Sequence, residues 1–390
     1  MGNEWVERNV EEVANVFGGG TPSTKDEANF NGEIPWITPK DLSGYPFRYI
    51  SRGERNISKK GLNCSNAKLL PVGTVLLTTR APVGYVAIAA NPVTTNQGFH
   101  SLVPHNGYSS EFIYYLLKAN AEYLKSNASG TTFGELSGST LKRLKFVFPS
   151  IPEQRAIADV LGSLDDKIEL NRHMNATLES MARAVFKAWF VDSEEAKGWK
   201  VGILEELADL NPEAWSNKSA PSQVEYIDLS NTKWGTIEET IIYSWKDAPS
   251  RARRILRPGD TILGTVRPGN GSYALITRKG LTGSTGFAVL RPKSVAYREY
   301  VYLATTSKEN IEWFAHLADG AAYPAIRPEI VISSEIARPP DEILEKFSTI
   351  AKPLMDKIAS NDEQSRTLAA LRDALLPRLM SGEVRVSVDG

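Results

Sequence analysis

"GTVLLTTRAPVG" (residues 73–84) and "GDTILGTVRPGNG" (259–271) are two versions of one short pattern. Each opens at a glycine, runs through alternating Leu, Ile, Val and Thr, and stops at an arginine followed by a Pro/Gly turn. This is the signature of a buried strand ending in a tight turn. At an offset of 187, Pro71, Thr74, Leu76, Thr78, Arg80 and Gly84 match Pro258, Thr261, Leu263, Thr265, Arg267 and Gly271. At 188, "QGFHSLVP" (97–104) runs beside "TGFAVLRP" (285–292), and at 190 "DKIELN" (166–171) overlies "DKIASN" (356–361). One such block arises by chance; three in the same order do not. The chain is an internal duplication.

Each copy has two parts. Residues 1–150 and 191–340 mix short β-type runs with Gly/Pro/Asn turns and helical stretches such as "SEFIYYLLKANAEYLK" (110–125), which reads as a mixed α/β globule. Residues 151–190 and 341–390 differ. Apolar residues fall at 157, 160, 164, 168, 174, 178, 181, 185 and 189, mostly three or four apart, which predicts one long helix. Its copy has a seam through Phe347, Ile350, Leu354, Ile358, Leu368, Leu371, Leu375 and Leu379, interrupted by Pro353, which should kink it or loosen its first turns. Ser150 with Glu153 resembles a capping box, with Pro152 in the first turn. At 1.5 Å per residue the first helix is a rod of roughly 58 Å. Two such helices in one chain can bury their stripes on each other. The expected fold class is therefore α+β: two duplicated mixed α/β globules joined and separated by two long antiparallel, coiled-coil-like helices. Asn171 and its repeat mate Asn361 lie mid-seam, where the equivalent midpoints of an antiparallel pseudo-twofold pair meet, and a polar residue there fixes register.

Composition narrows the function. Of 390 residues, 42% are hydrophobic and 23% charged, ordinary for a globular protein of more than one domain. No run of about 18 apolar residues exists to span a membrane. "MGNEWVERNVEEV" is acidic and amphipathic, unlike a signal peptide. The single Cys64 cannot form an internal disulfide; it fits a reducing cytoplasm and reads as a small buried side chain. Although the net charge is −1, "RYISRGERNISKK" (48–60) holds five basic residues and one acidic, and "RARRILR" (251–257) holds four arginines and no acid. One such cluster in each copy favours an anionic partner over a merely solvated face.

Catalytic tools are missing from the sequence. There is no GxxxxGK[ST] loop, no HExxH, CxxC or EF-hand spacing, and no Asn/Asp-Pro-Pro-aromatic tetrapeptide of the amino-methyltransferase kind. His100, His105, His173 and His316 are scattered. "FGGGTP" (17–22) follows a helix-like stretch, the wrong context for a dinucleotide loop. The sequence reads as a non-enzyme, with no cofactor or metal of its own.

"GGGTPS", "IPWITPKDL" (34–42), "TTRAPVGYVAI" (78–88), "TTNQGF" (94–99), "STLKRLKFVFPSIPEQRAIADVLGSLDDKIELN" (139–171), "FKAWFVD" (186–192) and "LLPRLMSGEVRV" (375–386) together resemble the specificity subunit of type I restriction–modification systems. The likeness spans essentially the whole chain; the region around "NPEAWSNKSAPSQVEYIDLS" (211–230) departs most, as variable target recognition domains do. The resemblance implies two such domains, each reading one half of an interrupted DNA target, and long helices that hold them apart and bind two methyltransferase subunits. S-adenosylmethionine would be held by those partners, and ATP with Mg by restriction–translocase subunits that join for cleavage. Half-sites one helical turn apart are separated by roughly 34–36 Å, a span such helices can match.

If the two domains read different half-sites, residues kept in both copies cannot discriminate. Arg80 and Arg267 then read as phosphate contacts or structural pins, and Gly84/Gly271 and Gly98/Gly286 as turn formers. Base reading falls to what differs: Asn96 and Gln97 against Ser284 and Thr285, and "GTTFGELSGST" (130–140) against "GAAYPAIRPEI" (320–330). Arg52, Lys59 and Lys60 in the first copy and Arg251, Arg253 and Arg254 in the second are candidate DNA contacts. The modest local charge also points to weak DNA binding by the isolated subunit. Residue chemistry alone leaves one alternative open, a pseudo-symmetric scaffold that assembles other proteins.

Overall fold

The run Val75–Thr79 is wholly buried and lies inside a five-stranded sheet, antiparallel to Val83–Ala89 on one side and Phe99–Pro104 on the other. Tyr49–Ile50 and Ala14–Gly18 form the two edges. The computed structural model describes residues 5–80, 82–129, 134–320 and 324–387. It divides into two compact units, residues 1–171 with 363–390, and residues 172–362.

Alternation along the central strand sends side chains to opposite faces. Val75 and Leu77 join Phe112 and Tyr115 of the helix Ser110–Ala119, whereas Leu76 joins Ile37, Ile50 and Phe99. The second unit repeats this layout. Thr261–Gly264 lies between Phe287–Pro292 and Tyr273–Leu275; Leu263 faces Tyr300 and Val301 of the helix Arg298–Thr305, and Ile262 faces Leu281 and Phe287. Leu77 thus corresponds to Leu263, and Leu76 to Ile262. Backbone pairing agrees: Thr79 N–H donates to Gly98 O at 2.7 Å and Thr265 N–H to Gly286 O at 2.8 Å. The offset within this strand is therefore 186, and the sequence match at 187 is one residue out. A one-residue slip exchanges the two faces, and Leu and Thr occur on both, so identity alone misled. The counterpart of Arg80 is Val266, not Arg267, which lies one residue further on with φ +48°.

Each unit has a second sheet, three-stranded in the first unit and four-stranded in the second. In the first, Phe30–Ile37 runs antiparallel to Arg55–Ile57 and parallel to Thr94–Thr95. In the second, Gln223–Ile227 runs antiparallel to Ile241–Ser244 and parallel to Leu281–Ser284. Here a further strand, Ala252–Ile255, pairs with Leu281–Ser284.

Each long helix, Ile151–Phe190 and Asp341–Met380, is 40 residues, and the two halves of each belong to different units. The halves pair antiparallel. In the first unit buried Asn171 donates to Gln364 Oε1 (3.0 Å) and Ser365 Oγ (3.1 Å), and Asp165 meets Arg372. In the second, buried Asn361 donates to Asn175 Oδ1 (2.8 Å), and Phe186 and Phe190 pack on Phe347. The expected seam is partly displaced. Val160, Met181, Ile350 and Leu371 are exposed, and Leu161 and Ala182 take the buried line. The second helix continues through Pro353. The capping box is half formed: Ser150 Oγ accepts from Glu153 N–H at 3.4 Å, but the Glu153 carboxylate is buried against Arg385. Cys64 is exposed rather than buried, because it ends the short surface helix Lys59–Asn63.

A polar network fixes the first globule to its helices. Arg48 donates to Tyr115 Oη (3.0 Å) and Asp166 Oδ1 (2.6 Å), and Tyr115 donates to Asp165 Oδ2 (2.6 Å). Burial pushes the Tyr115 phenol well above its ordinary range, so it stays a donor. Gly162 leaves room for the guanidinium, since a Cβ there would stand 2.7 Å from Arg48 Nη1. Arg48→Met should destabilise the first unit by about 2 kcal/mol, the scale of a hydrogen bond to a charged partner; chemical denaturation of the full chain checks this.

Candidate nucleic-acid interface

Two parallel strands that end side by side leave their following loops at one edge of a sheet. In the first unit Phe30–Ile37 and Thr94–Thr95 end this way, with Asn96 N–H donating to Ile37 O at 3.0 Å. Next comes a turn, Thr38–Asp41, closed by its own side chains. Thr38 N–H and Oγ1–H both donate to Asp41 Oδ2, at 2.7 and 2.6 Å. Asp41 Oδ1 also accepts from Glu54 N–H at 2.7 Å, which draws in the loop carrying Arg52 and Gly53. Gly98 packs against Pro39 so tightly that a Cβ would lie 2.7 Å from its ring. Three loops, 38–41, 52–54 and 96–98, therefore converge.

The second unit builds the same corner from other residues. Asp228 N–H donates to Asn231 Oδ1 at 2.9 Å, closing the turn 228–231. Gly286 packs on Leu229, where a Cβ would meet Cδ1 at 2.9 Å. The strand Ala252–Ile255 brings Arg251 to this corner, and Thr285 N–H donates to Arg251 O at 2.8 Å. Gly98 and Gly286 lie in the turns expected of them, at 97–98 and 285–286, and also permit this close approach; Gly271, with φ +68°, forms a turn, whereas Gly84, with φ +107°, lies inside the strand Val83–Ala89.

The sequence candidates divide accordingly. Arg52, Asn96 and Gln97 gather at the first corner, and Arg251, Ser284 and Thr285 at the second; Arg80 follows Thr79, whose N–H bonds Gly98 O, and Arg267 lies two residues beyond Thr265, whose N–H bonds Gly286 O. Lys59 and Lys60 do not gather at a corner: their helix follows Ser58, whose N–H bonds Asn29 O at the opposite end of Phe30–Ile37, and Lys60 pairs with Asp26. Asn96 and Ser284 perform one structural task, accepting from Gly98 N–H (2.9 Å) and Gly286 N–H (3.2 Å). Ser284 is buried, so the difference between the two is not displayed. Gln97, held by Thr21 Oγ1, and Thr285 are the exposed members of that loop. Arg80 is engaged by Glu135 at 2.7 Å. The loop residues 130–133 and 321–323 lie outside the described residues; flanking them, Glu135 bridges Arg80 and Ala325 bridges Val266.

Charge compensation separates the arginines of 251–257. Arg257 is neutralised by Glu213, whose carboxyl is held down to about 2 by hydrogen bonds from Arg257 and Arg291. Arg253 has no acidic partner among the described residues and lies over Trp245, 4.5 Å from the ring centre. Arg254 has a buried Nε with no hydrogen bond among the described residues, and burial lowers its basicity. Sequence reasoning missed Asp41, Asp228 and Tyr226. The T-x-x-D and D-x-x-N spacing at 38–41 and 228–231, in step with the repeat, was the available signal.

Comparison with known proteins gives these corners a setting. A family model described as the type I restriction modification DNA specificity domain matches residues 2–180. The type I restriction enzyme MjaIX specificity subunit of Methanocaldococcus jannaschii is 34% identical, over 98% of this chain and 94% of the relative. The EcoR124I/EcoR124II specificity subunit of Escherichia coli is 28% identical over 42% of this chain and 41% of its own length. The crystal structure of the type I restriction–modification S subunit from M. genitalium shares the fold, with a TM-score of 0.59 at 17% identity, covering 97% of this chain and 96% of that one. The chain belongs to the specificity subunits of type I restriction–modification systems. Among the described residues no helix is long and apolar enough to cross a membrane.

Uncompensated charge should dominate salt dependence. Arg253→Ala in the assembled complex should weaken binding to all DNA sequences and flatten the plot of log K against log salt by about one unit, whereas Arg257→Ala should leave the slope unchanged. Asn96→Ala should cost about 1 kcal/mol of stability, read by denaturation, with base preference unaltered.

Proposed function

We propose that each unit reads one half of an interrupted double-stranded DNA target through its loop corner. The observation that carries this is one backbone framework built twice with different exposed side chains: Arg52 and Gln97 on the first corner, Arg251 and Thr285 on the second. A shared framework supplies equivalent placement, and unlike side chains supply unlike base preference. The two long helices set the unspecific spacer and dock two methyltransferase subunits. Those partners hold S-adenosylmethionine and methylate adenine; restriction–translocase subunits bring ATP and Mg for cleavage. The complex works in the cytoplasm, where its DNA lies.

This reading is supported by family membership and by the passage of both 40-residue helices through both units. Long-read methylation mapping of host DNA, with the gene intact and deleted, tests it. An interrupted adenine-methylated motif should vanish on deletion, and an unchanged map would count against it. Inserting one helical turn into both long helices, at matched positions, should change the spacer and leave both half-sites as they were.

A further inference from the structure

We propose that Arg251 reads a guanine in the half-site of the second unit, aimed by Asp228 and Tyr226; this rests on the reading of the loop corners as the DNA interface. Arg251 stands where Ala252–Ile255 reaches the corner. Its Nε donates to Tyr226 Oη at 3.1 Å and its Nη2 to Asp228 Oδ2 at 2.6 Å, while Tyr226 Oη donates to the same Asp228 oxygen at 3.0 Å. Asp228 is itself fixed, its Oδ1 accepting from Leu229 N–H at 2.6 Å as it opens the 228–231 turn. One edge of the guanidinium is therefore tied to the protein. The other edge, Nη1 with the second Nη2 proton, has no partner among the described residues, and the Arg251 side chain is 59% exposed against 15% for Asp228.

A planar fork with two parallel donors, held at a fixed angle, matches the O6 and N7 acceptors that guanine alone presents side by side in the major groove. A phosphate contact needs charge and little orientation; two-point anchoring of the opposite edge supplies orientation. In the first unit the corresponding place is taken by the segment that ends at Leu70, bridged to Val93, and residues 61–70 ("GLNCSNAKLL") hold no arginine, so this arginine is peculiar to the second unit. That is what a residue distinguishing two half-sites requires. Asp228 and Tyr226 are positioning residues.

The test uses the reconstituted complex with its methyltransferase subunits. Each guanine of both half-sites is replaced in turn by 7-deazaguanine, which lacks the N7 acceptor. At one guanine, all within one half-site, wild-type methylation should fall about 10-fold, and Arg251→Gln should be insensitive to that same replacement. Asp228→Asn should relax preference at that base pair alone, which a role confined to the turn would not do. Tolerance of 7-deazaguanine everywhere, or a uniform loss over all sequences in Arg251→Gln, would overturn the assignment while leaving two-half recognition intact. A wild-type complex with no bipartite preference would remove both.

Discussion

A helix of 40 residues with one apolar stripe cannot stand bare in water, and this constraint organises the chain. Each buries part of its stripe in a globule core, Ile157 and Leu161 in the first unit and Leu344 and Phe347 in the second. The rest is covered by the other long helix, running antiparallel, half in one unit and half in the second. Buried Asn171 and Asn361 bond polar side chains of the opposite helix. A slip by one turn would strand those amides away from their partners, so the pair tolerates one register. Each globule shares its core with the helix halves of its unit, and in the first the Arg48–Tyr115–Asp165 network adds a polar attachment.

The loop corners follow from a second constraint. Parallel neighbours bring two chain exits together, and a side-chain-closed turn keeps them from fraying. Asp41 and Asn231 close their turns by accepting backbone N–H groups, and Gly98 and Gly286 permit the next loop to close on the turn. What remains exposed is free to vary without disturbing the frame. Duplication with divergence thus falls on Gln97 and Thr285 while Asn96 and Ser284 keep one backbone contact. The shared backbone contact and the side chains that differ between the copies are separated within a single loop.

Periodicity and repetition made the helices, the duplication and the family legible from sequence, because each is written over tens of residues. Register was not legible. Leu and Thr alternate on both faces of Val75–Thr79, so an offset of 187 matched more letters than the true 186, and Arg267 was paired with the wrong partner. The placement of the candidate residues was not legible either. Lys59 and Lys60 sit close in sequence to Arg52, yet an intervening strand carries them to the opposite end of the sheet. Compensation was equally hidden: Arg257 and Arg253 look alike in "RARRILR", and only the fold sets Glu213 beside one and Trp245 beneath the other.

Amide hydrogen exchange on the assembled complex, with and without its specific duplex, addresses the central claim most directly. Recognition through the corners predicts new protection at 38–41, 52–54 and 96–98 in the first unit, and at 228–231, 251–252 and 284–286 in the second, with 59–63 unchanged. Protection at 59–63 with both corners exchanging as in free protein would contradict the account.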